Sequence, residues 1–433
     1  MRNSFLKPCM AVLVLASAGV LQAEPAPGQL KKAIETAHES LWTRAIKQDG
    51  IILNFTGLDG NVAIPAPQEC AKLQPNGMAW WTPVSDGPFF TGLYLPAVCE
   101  RYRRTHSEND KNQARQLARG LMLLAGVSDV TGFIARGVGS DGKSHYPMGS
   151  DDQTHPWFFG LYCYLQSGIP VGDEKTGIKN RMEAVANALR QNRWYIPCDG
   201  QFKGEVWGGF PGNGFREAAR LLFIQRAMYE ITGDSRWLRD YQTTAHEVPQ
   251  GGKISRAAIC ASGIVYDESR VTAIRKEPYI VAGSQASLAV LAKLETDEEL
   301  KSAYRQGIEK TAAAMAQVMN DYQKFDNAAE TPYPNLDWRG RLISTWKPQA
   351  STMGAYKMGQ AIFSLPATYP RFMENELVMQ PLAAAYVVAL AGNGETLRAS
   401  RSIIEAALCH YDYRKLYMSG YFFSECAYYA LPE

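Results

Sequence analysis

The 433-residue sequence is short of the features that mark several large function classes. Net charge is only +2, with 45 basic and 43 acidic residues, so it lacks the positive field of a general nucleic-acid binder. Its six histidines include no His-x-x-x-His pair, and its eight cysteines include no Cys-x-x-Cys spacing. Neither a metal centre nor a redox dithiol is indicated. Gly137-Val138-Gly139 lacks the strand and helix setting of a dinucleotide loop, and the glycines from Gly208 to Gly214 lack the Lys-Ser or Lys-Thr of a P-loop. Gly283-Ser284-Gln285-Ala286 is not a nucleophile elbow. No motif implies a cofactor. No low-complexity linker interrupts the chain, and past the first residues no apolar run is long enough to span a membrane.

The first residues read as a secretory signal. Arg2 and Lys7 supply the positive region, Ala11 to Leu21 the apolar core, and Leu21-Gln22-Ala23 a small-residue cleavage site. Residues 1–23 are therefore expected to be removed, leaving 24–433 as one domain that works in the periplasm or outside the cell. Seven cysteines then remain, an odd number. Cys99 and Cys163 fall in apolar segments and read as buried thiols. Cys198 and Cys260 lie in long loops and are candidates to pair.

Twelve helix-like segments follow one another, with apolar residues spaced three and four apart. The odd-numbered ones are Gln29–Lys47, Asp110–Leu124, Thr176–Arg193, Ser235–Glu247, Asp297–Tyr322 and Glu395–Leu408, each mixing charge with one apolar stripe. The even-numbered ones are Pro88–Arg101, Pro156–Gln166, Asn213–Ile231, Ser284–Leu294, Asn375–Leu390 and Tyr421–Leu431. Two of these are apolar nearly all round, which is the pattern of a buried helix. Asn213–Ile231 fits least well, because it contains several charges. The connections alternate: long before each even segment, short after it. Long loops tend to be functional. The expectation is an all-α chain, an (α/α)6 toroid of six helical hairpins with its long loops on one face.

Those loops hold the candidate chemistry. The stretch from Arg136 to Trp157 is the densest polar and aromatic cluster in the chain. Asp151 and Asp152 open one even helix and Asp86 opens its neighbour; as a group they are candidate catalytic carboxylates, since glycoside hydrolysis uses a paired acid and base. Simple helix capping is the competing reading of each. Glu205 is a further acid, or a solvated loop carboxylate. Trp81, Trp157, Trp207 and Trp346 are candidates to stack on sugar faces, or to pack in the core. Arg136, Arg216 and His145 are candidates to hold a substrate carboxylate, or to form ordinary salt bridges. His145 with Tyr146, and His410 with Tyr411 or Tyr413, are candidate base and acid for β-elimination. His155 completes the proposed binding set.

In architecture the chain resembles the six-hairpin glycosidase superfamily over nearly its whole mature length. Unsaturated glucuronyl and rhamnogalacturonyl hydrolases look closest in layout. In them, one key aspartate opens the second helix and another opens the fourth, the places of Asp86 and of Asp151 or Asp152 here. The resemblance implies a glycoside hydrolase acting on an oligosaccharide, uronate-containing ones included, with Asp152 as acid or base and Asp151 and Asp86 as partners. A polysaccharide lyase on the same fold and a carbohydrate-binding protein without catalysis are the alternatives.

Overall fold

A computed structural model describes residue 26 and residues 28–68, 83–264, 277–329, 350–363 and 373–432. The signal-like segment, Cys70, Trp81 and Trp346 lie outside the described residues.

The protein is all-α, with fourteen α-helices among the described residues. In chain order they are α1 Gln29–Ser40, α2 Gly87–Thr105, α3 Glu108–Leu124, α4 Asp151–Gln166, α5 Gly172–Gln191, α6 Phe215–Thr232 and α7 Ser235–His246. There follow α8 Arg256–Ser262, α9 Pro278–Leu294, α10 Glu298–Met315, α11 Thr352–Phe363, α12 Gln380–Ala389, α13 Glu395–His410 and α14 Phe423–Ala430. A single small hairpin, β1 Tyr195–Pro197 and β2 Val206–Gly209, pairs antiparallel in the loop before α6.

All twelve segments read from the sequence form helices, with two shifts that matter. The fourth starts at Asp151, not Pro156, so Pro156 sits inside it. The eighth starts at Pro278, not Ser284. Proline suits the first turn, where its missing N–H costs nothing. Pro156 is the sixth helical residue, past the first four unpaired N–H groups, so it removes the bond that would reach the Asp152 carbonyl.

The even helices α2, α4, α6, α9, α12 and α14 each pack on the next, and α14 packs back on α2. Their buried residues face all round, as the apolar runs Phe158–Leu161 and Leu382–Ala389 require. The amphipathic helices α1, α3, α5, α7, α10 and α13 pack against them. One hydrophobic cluster draws on every α-helix except α11, whose Ala355 joins a second, smaller cluster.

Helices α2 and α4 cross closely. A methyl group added at Gly92 would lie 2.1 Å from the Pro156 carbonyl oxygen, and one at Gly160 2.6 Å from the Gly92 oxygen. Only glycine lets the two backbones approach so nearly. Long connections (46–86, 125–150, 192–214, 247–277, 316–379 and 411–422) all enter the N-termini of the even helices. Short ones (106–107, 167–171, 233–234, 295–297 and 390–394) leave their C-termini.

The six described cysteines are all free thiols. Cys198 and Cys260 do not pair: both are fully buried, in separate hydrophobic clusters. Burial pushes the Cys163 and Cys198 thiols up to about 12.

Candidate functional site

Three aspartates and three arginines meet where α2, α4 and α6 begin. Asp86 holds the N-cap position of α2, yet its carboxylate caps nothing. Oδ2 accepts from Asn54 Nδ2 at 2.6 Å and from the Ser85 hydroxyl at 3.1 Å, while Oδ1 accepts from Gln153 Nε2 at 2.9 Å. Arg136 approaches Oδ1 at 3.5 Å. It also donates to the Ser85 carbonyl and to Ser150 Oγ, at the N-cap of α4. Arg136 thus bridges the first turns of α2 and α4.

Asp151 and Asp152 lie in the first turn of α4, near its positive dipole end. Arg216 Nη2 donates to Asp151 Oδ2 at 2.9 Å and to Asp152 Oδ1 at 3.0 Å. Arg220 Nη1 contacts the same two oxygens at 2.9 and 2.8 Å, and its Nη2 donates to the Ile280 carbonyl at the start of α9. Arg216 and Arg220 are four residues apart on α6 and so share one helix face. Two of the charges that looked out of place in this buried helix are turned onto the aspartates, while Arg226 pairs with Glu230.

The two aspartates differ in environment. Burial and the charge of Asp152 push the Asp151 carboxyl up. Burial also works against ionisation of Asp152, but Arg216 and Arg220 outweigh it and hold its carboxyl well below the usual range. The Asp152 side chain keeps 37% of its surface open, against 13% for Asp151. Among the described residues, both arginine contacts of Asp152 fall on Oδ1, which leaves Oδ2 without a protein donor. Gly208 of β2 closes over Asp151: a methyl group there would lie 2.7 Å from Asp151 Oδ1, and its φ of +74° suits glycine.

Compared with known proteins, the chain matches no family model, no curated protein and no solved structure. The site is therefore read from its own geometry.

Of the expected residues, Asp86, Asp151, Asp152, Arg136 and Arg216 come together. Glu205 and Trp207 belong to the hairpin whose Gly208 closes over Asp151, but their side-chain contacts run to α11. Glu205 accepts from the Thr352 hydroxyl at 2.8 Å and from its backbone N–H, docking α11 on the hairpin. The Trp207 ring packs against Tyr356 of α11, centroids 5.1 Å apart.

Others are placed elsewhere, and three corrections follow. His155 is fully buried, 2.6 Å from Ser287 Oγ and stacked on Phe159, with burial and Arg220 keeping it neutral. Trp157 is fully buried and donates to the Leu121 carbonyl at 2.7 Å, so it packs in the core and meets no sugar. Tyr146 is buried in a small apolar cluster with Leu53, Val84 and Met148, its hydroxyl on Met148 Sδ.

His145 is fixed by two acceptors, the Lys143 carbonyl at 2.8 Å and Asp199 at 2.7 Å. Burial opposes its charge, but the bond to Asp199 prevails and raises its pKa, while Asp199 is lowered to about 2. It clamps the loop before α4 to the hairpin. His410 contacts the Phe325 carbonyl at 2.9 Å, and the buried Tyr413 donates to the Leu408 carbonyl.

Arg220, Gln153, Asn54, Glu277 and Tyr279 belong to the site region and escape the sequence reading. A signal existed for Arg220, one turn beyond Arg216 and so on the same helix face. A signal existed for Glu277 too, which stands directly before the proline that opens α9, much as Asp86 stands before Gly87-Pro88.

Proposed function

We propose that this chain is a secreted glycoside hydrolase with an α/α toroid fold, acting on an oligosaccharide. The circuit of six even helices, and the entry of every long connection at their N-termini, support the toroid. The observation that carries the functional reading is the sharing of Arg136 by two carboxylates. Arg136 touches Asp86, and its charge helps to hold Asp152 ionised. Two carboxylates on neighbouring helices, one of them ionised and open on one oxygen, are the equipment of glycosidic bond cleavage. Asp152 serves as the base that takes a proton from water, Asp86 orients the sugar or the water, and Trp207 with Tyr356 offers an aromatic wall.

The elimination reading has less support. His145 has both ring nitrogens engaged, and Tyr146 and Tyr413 are buried. Arg136 and Arg216 are committed to aspartates, so the six charges sum to zero and a uronate gains no net attraction from them. Neutral and uronate-containing sugars are therefore equal first substrates.

The test is a panel of neutral, uronate and unsaturated uronyl oligosaccharides, followed by reducing-end release and ultraviolet absorbance. Hydrolysis releases reducing ends and consumes any unsaturated uronyl double bond, whereas elimination creates one. Asp152→Asn should lower kcat by about 100- to 10,000-fold, the usual worth of a positioned acid or base. Unchanged turnover in that variant overturns the assignment. Binding without turnover in the wild type would instead make the protein a carbohydrate-binding module.

A further inference from the structure

The aspartates described above are matched by arginines, which leaves open where a hydrolase would keep a proton at neutral pH. Arg216 and Arg220 hold Asp152 as an anion, which suits a base and not an acid. Asp151 has little exposed surface and lies beneath Gly208.

On the next even helix, Glu277 holds the N-cap position of α9, but its side chain makes no capping bond. Its Oε2 accepts instead from Gln380 Nε2 at 2.8 Å, at the start of α12. Gln380 Oε1 in turn accepts from the Tyr279 backbone N–H at 3.4 Å. Among the described residues no lysine, arginine or histidine forms an ion pair with Glu277; the charge that acts on it is another carboxylate, Glu376.

Tyr279 links this group to the rest of the site. Its ring meets Phe89 of α2 edge-on, centroids 5.9 Å apart. Its phenol is within electrostatic reach of Glu277, Asp86, Asp152 and Arg216, contributed by α9, α2, α4 and α6. Burial and the three carboxylates raise the phenol, with Arg216 opposing. Tyr279 is therefore a neutral hydroxyl set among the charged groups.

Resting on the hydrolase reading, we propose that Glu277 is the proton donor of this site, positioned by Gln380 and working beside the Tyr279 hydroxyl opposite Asp152. Burial and Glu376 push its carboxyl up to about 7, with the Gln380 bond pulling the other way. The Glu277 proton passes to the glycosidic oxygen as the bond from that oxygen to the anomeric carbon breaks. Water bonds to the anomeric carbon and gives its proton to the Asp152 carboxylate. One water is added across the bond, and proton exchange with solvent resets both carboxyls.

Two measurements test this. Difference infrared titration of the protein alone should show a carboxyl changing near pH 7 that is missing from Glu277→Gln, beside the Glu374 carboxyl, which burial also pushes up to about 7 and which titrates in both proteins. Absence of that signal in the wild type overturns the proposal whatever the substrate proves to be. The second compares methyl and 4-nitrophenyl glycosides of the sugar that the panel shows to be released. Glu277→Gln should lose about 100- to 10,000-fold on the methyl glycoside. It should lose far less on the nitrophenyl one, whose leaving group needs no proton, and the fall in rate above pH 7 should vanish.

Glu277→Asp, which keeps an acid, should retain that fall at reduced rate and guards against a fold defect in the glutamine variant. Equal losses on both glycosides, or a wild-type rate on the methyl glycoside, overturn the proposal. If the wild type cleaves nothing while the carboxyl still titrates, it is the hydrolase reading that fails.

Discussion

Arg220 is fully buried, and its two terminal nitrogens bond Asp151, Asp152 and the Ile280 carbonyl. Replacing it with methionine leaves two aspartates facing one arginine in a place that water reaches poorly. Removing one partner of a buried ion pair costs about 3–5 kcal/mol, and urea unfolding of Arg220→Met should show a loss of that order. Legibility at this scale followed residue type and position. Asp86, Asp151, Asp152, Arg136 and Arg216 could be found because charged groups beside expected helix starts are conspicuous. His155 and Trp157 mislead because Pro156 has the pattern of a first helical residue; with the start at Asp151 they fall in the second turn and face inward. Asn54 gave no signal at all, since its role depends on a contact across 32 residues.

Helix α4 holds Asp152 and α2 holds Asp86, so the separation of the two carboxylates is set by how these helices cross. Gly92 fixes that crossing. Gly92→Ala forces a methyl group onto the Pro156 carbonyl and should cost about 1–3 kcal/mol as the helices are pushed apart. Thermal melting measures the loss, and a fall in kcat larger than the fraction unfolded would show that the site has widened as well. Twelve helices were legible because the three- and four-residue apolar spacing persists through each. Helices α8 and α11 and the β-hairpin were not: α8 and the strands are short, and α11 lies inside a long connection and docks through partners such as Glu205 on Thr352. Glu277 was missed for an element-level reason: the helix it precedes was started six residues late, which buried the clue inside a long loop.

The last helix is joined to the first two through a buried polar knot. Glu425 of α14 contacts His38 Nδ1 of α1 at 2.9 Å and accepts from the Tyr94 hydroxyl of α2 at 2.7 Å. Burial works against a charged His38, but the Glu425 charge and hydrogen bond prevail and raise its pKa above 6.5. Stability from the charged pair is therefore fully present below pH 6.5 and lost as pH rises through the higher folded value. Melting temperature should fall over that window, and Glu425→Leu should reduce the slope to the share that His145 contributes and cost about 3 kcal/mol or more. The same knot has a kinetic meaning. Its partners are separated by 387 and 331 residues, so the contact that joins the two ends of the helix circuit cannot form until almost the whole chain has been synthesised. Until then the apolar flanks of α1 and α2 that await α14 stay open, a long interval in which a chaperone finds a ready surface and a truncated chain finds another copy of itself.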